Sequence, residues 1–198
     1  MNNYEYIIAT LPVFGKDAEK LDADAVISAV REQCSAHDNA LTDCLLDGFD
    51  REKLSYAYYK KALNCGNAFI REYMRYDLLV RNTKVEYLNR ALFRPEGTDL
   101  VPFPADGEEV PEASSPEFDD KTRVLAVLAG EDILARERGL DDIMWDKADE
   151  LTALHVFDLD KILSFLVKLK ITDRWNRLDA ETGRQMFRRM VDEIRKTR

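Results

Sequence analysis

Glycine and proline are scarce in this chain of 198 residues, with eight of the former and six of the latter. Seven of those fourteen crowd between Pro95 and Pro116. An all-β fold needs such residues at many evenly spread turns, so that class is excluded. Only two histidines exist, His37 and His155, which leaves few options for imidazole acid–base or metal chemistry. The three cysteines, Cys34, Cys44 and Cys65, are odd in number and lack C-x-x-C spacing. That argues against a disulfide framework or a zinc site and for reduced, mostly buried thiols in a cytosolic protein. No apolar run approaches the roughly 20 residues that span a bilayer, and Met1 to Glu5 lack the basic start of a signal peptide. A soluble, intracellular protein is expected. Glycine-rich phosphate loops, G-x-S-x-G elbows and calcium loops are absent as well. The expectation is therefore a chain with no catalytic centre, no cofactor and no metal.

What is present is 45% hydrophobic and 34% charged residues, the mixture that amphipathic helices produce because each needs one apolar stripe and a solvated remainder. The net charge of −9 hides an asymmetry. Residues 96–160 carry 5 basic and 19 acidic side chains, for −14, whereas residues 161–198 carry 11 and 5, for +6. Such a chain can pair its two parts internally or present faces of opposite sign to different protein partners. The basic part has no glycine-rich loop or aromatic platform, so nucleic acid is not an expected partner.

The pattern predicts an all-α fold, an elongated helical bundle with one long central helix and a C-terminal helical hairpin. Tyr4 to Phe14 reads as a strand or as the first turns of a helix, ended by Pro12 and Gly15. Asp22 or Asp24 caps a helix with Ala25, Val26, Ala29, Val30 and Cys34 on its apolar side. A second helix holds Ala40, Leu41, Cys44, Leu45 and Leu46 and ends near Gly48. Arg51 to Phe93 contains no proline and one glycine, and Phe69, Tyr73, Tyr76, Val80, Thr83 and Tyr87 share a face. A single helix there would have 43 residues, with Gly66 as the expected break. Residues 95–118 form an acidic, proline-rich loop, expected as a mobile connection. It separates an N-terminal helical part, 1–94, from a C-terminal one, 119–198. Helix resumes at Asp119, with a possible break at Gly139, through Ile143, Met144, Ala148, Leu151 and Leu154. Asp158 caps the next helix, from Ile162 to Trp175, and Asp179 caps a last one with Met186, Phe187, Met190, Val191 and Ile194 on one side.

Candidate functional residues are few. His37-Asp38 matches the HD dipeptide of metal phosphohydrolases, but that chemistry needs further histidine ligands. His155 is expected to serve packing or a helix C-terminus. The pairs Asp119-Asp120 and Asp141-Asp142 read as carboxylates at helix N-termini. The candidates for a protein interface are Arg184, Arg188, Arg189 and Arg195 on the last helix, and Arg71, Arg75 and Arg81 beside the aromatic stripe.

Three segments carry a resemblance. YEYIIATLPVFG at the start, NAFIREYMRYDLLVRN from Asn67 to Asn82, and the run from Phe157 to Arg195 resemble, in that order, a bacterial domain-of-unknown-function family whose genes lie within V-type ATPase operons. Such proteins resemble the V/A-type ATPase C subunit, an all-helical, non-catalytic piece that joins the central shaft to the membrane rotor ring. The resemblance implies a non-catalytic subunit that couples the central stalk to the proton- or sodium-carrying ring. Its partners would be other ATPase subunits, and its place would be cytoplasmic, peripheral to the inner membrane, without membrane insertion. An assembly or regulatory adaptor of the ATPase and a small helical hydrolase are the alternatives.

Overall fold

The structure, a computed structural model, describes residues 4–16, 21–104 and 117–177. Among these residues the fold is all-α, with eight helices and no β-strand. They are α1 (Tyr4–Thr10), α2 (Ala23–Gln33), α3 (Ala36–Asp47), α4 (Tyr56–Leu63), α5 (Ala68–Ala91), α6 (Lys121–Leu128), α7 (Ile133–Leu151) and α8 (Leu159–Asn176). The segment left open between strand and helix is thus helical. The last helix of the expected hairpin, with Arg184, Arg188, Arg189 and Arg195, lies outside the described residues.

Side chains set the helix starts. Asp22, Ser35, Ser55, Asn67, Asp132 and Asp158 each accept a hydrogen bond from a backbone N–H of the first turn that has no partner within the helix. Ser35 and Asp38 do so reciprocally, as a capping box. His37 is therefore an exposed residue of a helix start, and the carboxylate of Asp38 is spent on Ser35 and on the Tyr4 hydroxyl, 3.0 Å away.

The 43-residue rod does not form. A turn occupies 51–55, and the chain breaks again around Gly66, between the ends of α4 and α5. What remains is α5, with 24 residues and a length of about 36 Å. Its stripe is as expected: Phe69, Tyr73, Tyr76, Val80 and Thr83 are buried, and Phe69 and Tyr73 stack with ring centres 5.7 Å apart. The stripe of α2 is rotated from the expectation. Ala23 and Val30 are buried with Val26 and Ile27 beside them, whereas Ala25 and Ala29 face water.

Gly139 is also different. The break between α6 and α7 falls at Ala129–Asp132, and Gly139 lies within α7. Its reason is contact: a Cβ at this position would sit 2.7 Å from Cγ1 of Val127 on α6. Gly48 is similarly confined, since a Cβ there would meet the Tyr58 hydroxyl at 2.4 Å and the Met74 methyl at 2.8 Å.

The centre of the molecule is α8, which packs against α1, α2, α3, α5 and α7. Leu159, Leu163, Val167 and Ile171 join the larger core, made with α3 to α7. Ile162, Leu166 and Leu169 close a second core with Ile7, Ala23 and Val30 of α1 and α2. Phe14 bridges the two, edge-on to Trp145 at 6.0 Å and to Phe165 at 5.2 Å. Between α7 and α8, the carbonyl of Ala148 accepts from both Thr152 (2.8 Å) and Ser164 (3.0 Å), so two buried hydroxyls are satisfied where the helices come closest.

The acidic connection is held at both ends by α5. Asn82 donates to the carbonyl of Val101 at 2.8 Å and accepts from its N–H at 3.1 Å, and Asn89 donates to the carbonyl of Thr98 at 2.7 Å. On the far side, Tyr76 donates to Asp120 at 2.6 Å and packs edge-on against Phe118. The mobile connection expected for 95–118 is thus anchored over its described flanks.

Alanine in place of glycine inside a helix ordinarily stabilises by about 1 kcal/mol. Gly139→Ala is expected to do the opposite, lowering stability by about 1 kcal/mol through the clash with Val127. In a Val127→Ala background the same substitution should become stabilising. Urea denaturation of the four proteins of this cycle checks both signs.

Candidate interaction surfaces

The helices α5, α7 and α8 run alternately up and down. The Lys147 ammonium lies over the Tyr76 ring, and Lys84 pairs with Glu137, which fixes α7 antiparallel to α5. Ser164 meets Ala148 and the Trp175 indole donates to Asp141 at 2.6 Å, which fixes α8 antiparallel to α7. The C-termini of α5 and α8 therefore share one end of the molecule with the N-terminus of α7. The other end gathers the α7–α8 turn and the N-terminus of α5, where Asn67 donates to Asp160 at 2.6 Å. The 19 residues of α7 separate these ends by about 28 Å.

Both ends expose large apolar side chains. At the first, Leu88, Leu92 and Phe93 close α5, and Ile133 and Leu134 open α7. The pairing of Lys84 with Glu137 places Leu88 across from Ile133, one turn further out. At the second, Leu154, Val156 and Phe157 surround His155 in the α7–α8 turn, with Leu154 95% exposed. The sequence pattern put Leu154 on the apolar stripe of a helix. In the structure α7 ends at Leu151, because Thr152 turns the chain and bonds back to Ala148.

Phe93 stands out. The N–H of Arg94 reaches the carbonyl of Asn89 at 2.9 Å, and that of Phe93 reaches Arg90 at 3.3 Å. This is the Schellman arrangement, in which the residue occupied here by Phe93 takes left-handed backbone and is usually glycine. Phe93 adopts φ 54° without being glycine, at a cost of about 1 kcal/mol or more. Among the described residues nothing repays that cost, since Phe93 is 96% exposed.

The predicted arginines fare differently from one another. Arg71 donates to the carbonyls of Cys65 and Gly66, at 2.7 and 3.0 Å, and so closes the α4–α5 turn. Arg81 pairs with Asp77 at 2.6 Å, a carboxylate that also accepts from Tyr59 at 2.6 Å. Burial beside that carboxylate pushes the Tyr59 hydroxyl far above its ordinary range. These two serve the fold. Arg75 is exposed at the rim of a groove of about 430 Å³, among the carboxylates of Glu72, Glu117, Asp119, Asp120 and Glu150.

Of the two acidic pairs read as carboxylates at helix N-termini, Asp119-Asp120 lies at the start of α6 and Asp141-Asp142 does not lie at a start. Asp141 and Asp142 sit inside α7. Asp141 accepts from Trp175 and Arg174, and burial nevertheless holds its carboxyl above the usual range. Asp142 pairs with Lys16 at 3.0 Å. Asp120 does cap α6 by position, although its carboxylate goes to Tyr76. His155 binds Asp158, the cap of α8, through Nδ1. Among the described residues, no three side chains of histidine, cysteine, aspartate and glutamate gather as a metal site would require. No described helix is long and apolar enough to cross a membrane.

The apolar ends are hard to find from sequence by looking for charge. Their signal is faint: LHVF just ahead of the cap Asp158, and LF just past the end of a helix, put large apolar residues where polar turn residues are usual. Replacing Phe93 by glycine is expected to raise stability by up to about 1 kcal/mol, since glycine takes the left-handed region freely and the ring makes no compensating contact. Thermal or urea unfolding of Phe93→Gly against the parent checks this.

No curated protein matches the chain, and no solved structure matches it. Residues 49–198 match a family described as a protein of unknown function, DUF2764. The match includes two of the three segments that carried the resemblance, Asn67–Asn82 and Phe157–Arg195, and leaves the opening Tyr4–Gly15 outside. It spans three quarters of the sequence, and the chain belongs to this DUF2764 family.

Proposed function

We propose that this protein is a non-catalytic component of a V/A-type rotary ATPase, coupling the central stalk to the membrane rotor ring. A coupler must be gripped at two places and must pass torque between them. The observation that supports this reading is the pair of apolar ends on α5, α7 and α8, about 28 Å apart and joined by helices that share one core. Exposed apolar groups clustered in this way mark contact surfaces more often than they occur by chance. Phe93 adds to the argument, because its left-handed backbone costs stability while its ring stays fully solvated. In this reading one end meets the soluble shaft and the other meets the cytoplasmic loops of the ring, with no insertion into the bilayer. The basic residues Arg184, Arg188, Arg189 and Arg195 and the exposed Arg75 supply charge for the same partners.

Purification of the intact ATPase from membranes tests the proposal. A coupling component is expected in fixed stoichiometry with the shaft and ring proteins. A complete, active complex lacking this chain would overturn the proposal, and its presence on assembly intermediates alone would make it an assembly adaptor. Phe93→Gly and the pair Leu154→Ser, Phe157→Ser are each expected to weaken binding to a different partner by tenfold or more, with no loss of fold by circular dichroism. Charge reversal at Arg184, Arg188 and Arg189 should likewise weaken association and leave the fold intact. Pull-downs with separately purified stalk and ring proteins read out all three.

A further inference from the structure

Two cavities, of about 430 and 320 Å³, adjoin along α5 and share Leu79, Glu117 and Phe118 in their linings. Together they form a groove from Glu72 to Glu86, about 21 Å of helix. Its apolar part is Leu79, Phe103 and Phe118. The walls are fastened close to these rings: Asn82 holds Val101, two residues ahead of Phe103, and Tyr76 holds Asp120, two residues past Phe118. The rim is acidic. Lys121 and Lys147 are taken up by Glu86 and Glu150, at 3.0 and 2.8 Å. Glu72, Glu117 and Asp119 are exposed, and their carboxylates have no partner among the described residues. Arg75, the one rim cation without such a bond there, offsets only one of them.

We propose that this groove binds a lysine- or arginine-rich amphipathic helix of a partner protein. The apolar stripe of that helix lies against Leu79, Phe103 and Phe118, and its basic flanks face Glu72, Glu117 and Asp119. Charge selects the sign of the occupant, since carboxylates without a partner attract cations and repel acids across an interface. It also disfavours the chain's own residues 105–116, which carry Asp106, Glu108, Glu109 and Glu112 and no basic residue. Backbone chemistry selects the helix. An extended peptide needs a strand edge to pair with, and the described residues contain no strand, whereas a helix satisfies its own backbone and lays an apolar face into a groove. About 14 residues of helix match the groove's length. The groove lies along α5 between the two apolar ends and does not depend on the rotary reading.

The probe is a fluorescein-labelled synthetic peptide of about 14 residues, with leucine at helical i, i+3, i+4 spacing and lysine elsewhere. It is titrated with the full chain and read by fluorescence anisotropy. Saturable binding of one peptide per chain is expected, and the same peptide with glutamate for lysine should not bind. The combined substitutions Glu72→Lys, Glu117→Lys and Asp119→Lys should weaken binding tenfold or more, and Leu79→Ser at least threefold, with the helical circular dichroism unchanged. Glu5→Lys, Glu32→Lys and Glu52→Lys together, on exposed residues outside the groove, should leave affinity within twofold. Absence of saturable binding, equal binding of the glutamate peptide, or equal loss in the two charge-reversed sets would each overturn the proposal. Tighter binding after residues 105–116 are replaced by a glycine-serine linker would overturn it too, by making that stretch the native occupant.

Discussion

Burial of α8 on two adjacent stripes is the constraint on which the rest of the structure depends. A helix with a single apolar face has a solvent side along which neighbours can slide. With ten of its 18 residues buried, α8 has little such side left. Its leucines and isoleucines fill two cores at once, so α1 and α2 on one flank and α3 to α7 on the other are referred to one axis. The charged residues of α8 other than the buried Asp173 are confined to what remains. Lys168, Arg174 and Arg177 reach out from there to Asp149, Asp141 and Asp24, and bind the neighbouring helices at their margins. Of these, only Arg177 and Asp24 are both exposed, and such a pair adds little stability by itself; all three register the helices along their margins.

Much of this was legible in the sequence because the signals were local. Asp158 caps the helix its position implies, and of the two candidates Asp22 and Asp24 it is Asp22 that caps α2. Gly66 breaks the long run, and the aromatic stripe of α5 is buried as its spacing implied. Where tertiary contact decided the outcome, local rules misled. Gly139 looks like a breaker only until Val127 of another helix is placed against it. Asp141 and Asp142 have the composition of a helix start, and yet their partners, Trp175 and Lys16, lie far away in the chain. Arg71 and Arg81 read as free charges because the carbonyls and the carboxylate that hold them become neighbours only on folding.

The apolar ends were harder still to foresee. A patch on a surface has no period, and the residues that form the first one come from α5 and α7, with about 40 residues of chain between them. Membership of the DUF2764 family confirms that the pattern from Asn67 and from Phe157 onward is shared. It leaves the function to be argued from the two ends and from the strained phenylalanine at one of them.

The two anchors of the acidic stretch have a practical consequence. Val101 and Asp120 are both fastened to α5, by Asn82 and by Tyr76. Extra sequence spliced between Pro104 and Glu117 would hang from two clamps on one rod, and the pull of a bulky cargo would end at those clamps. A fluorophore or affinity handle carried there would report through Val101 and Asp120 on one helix.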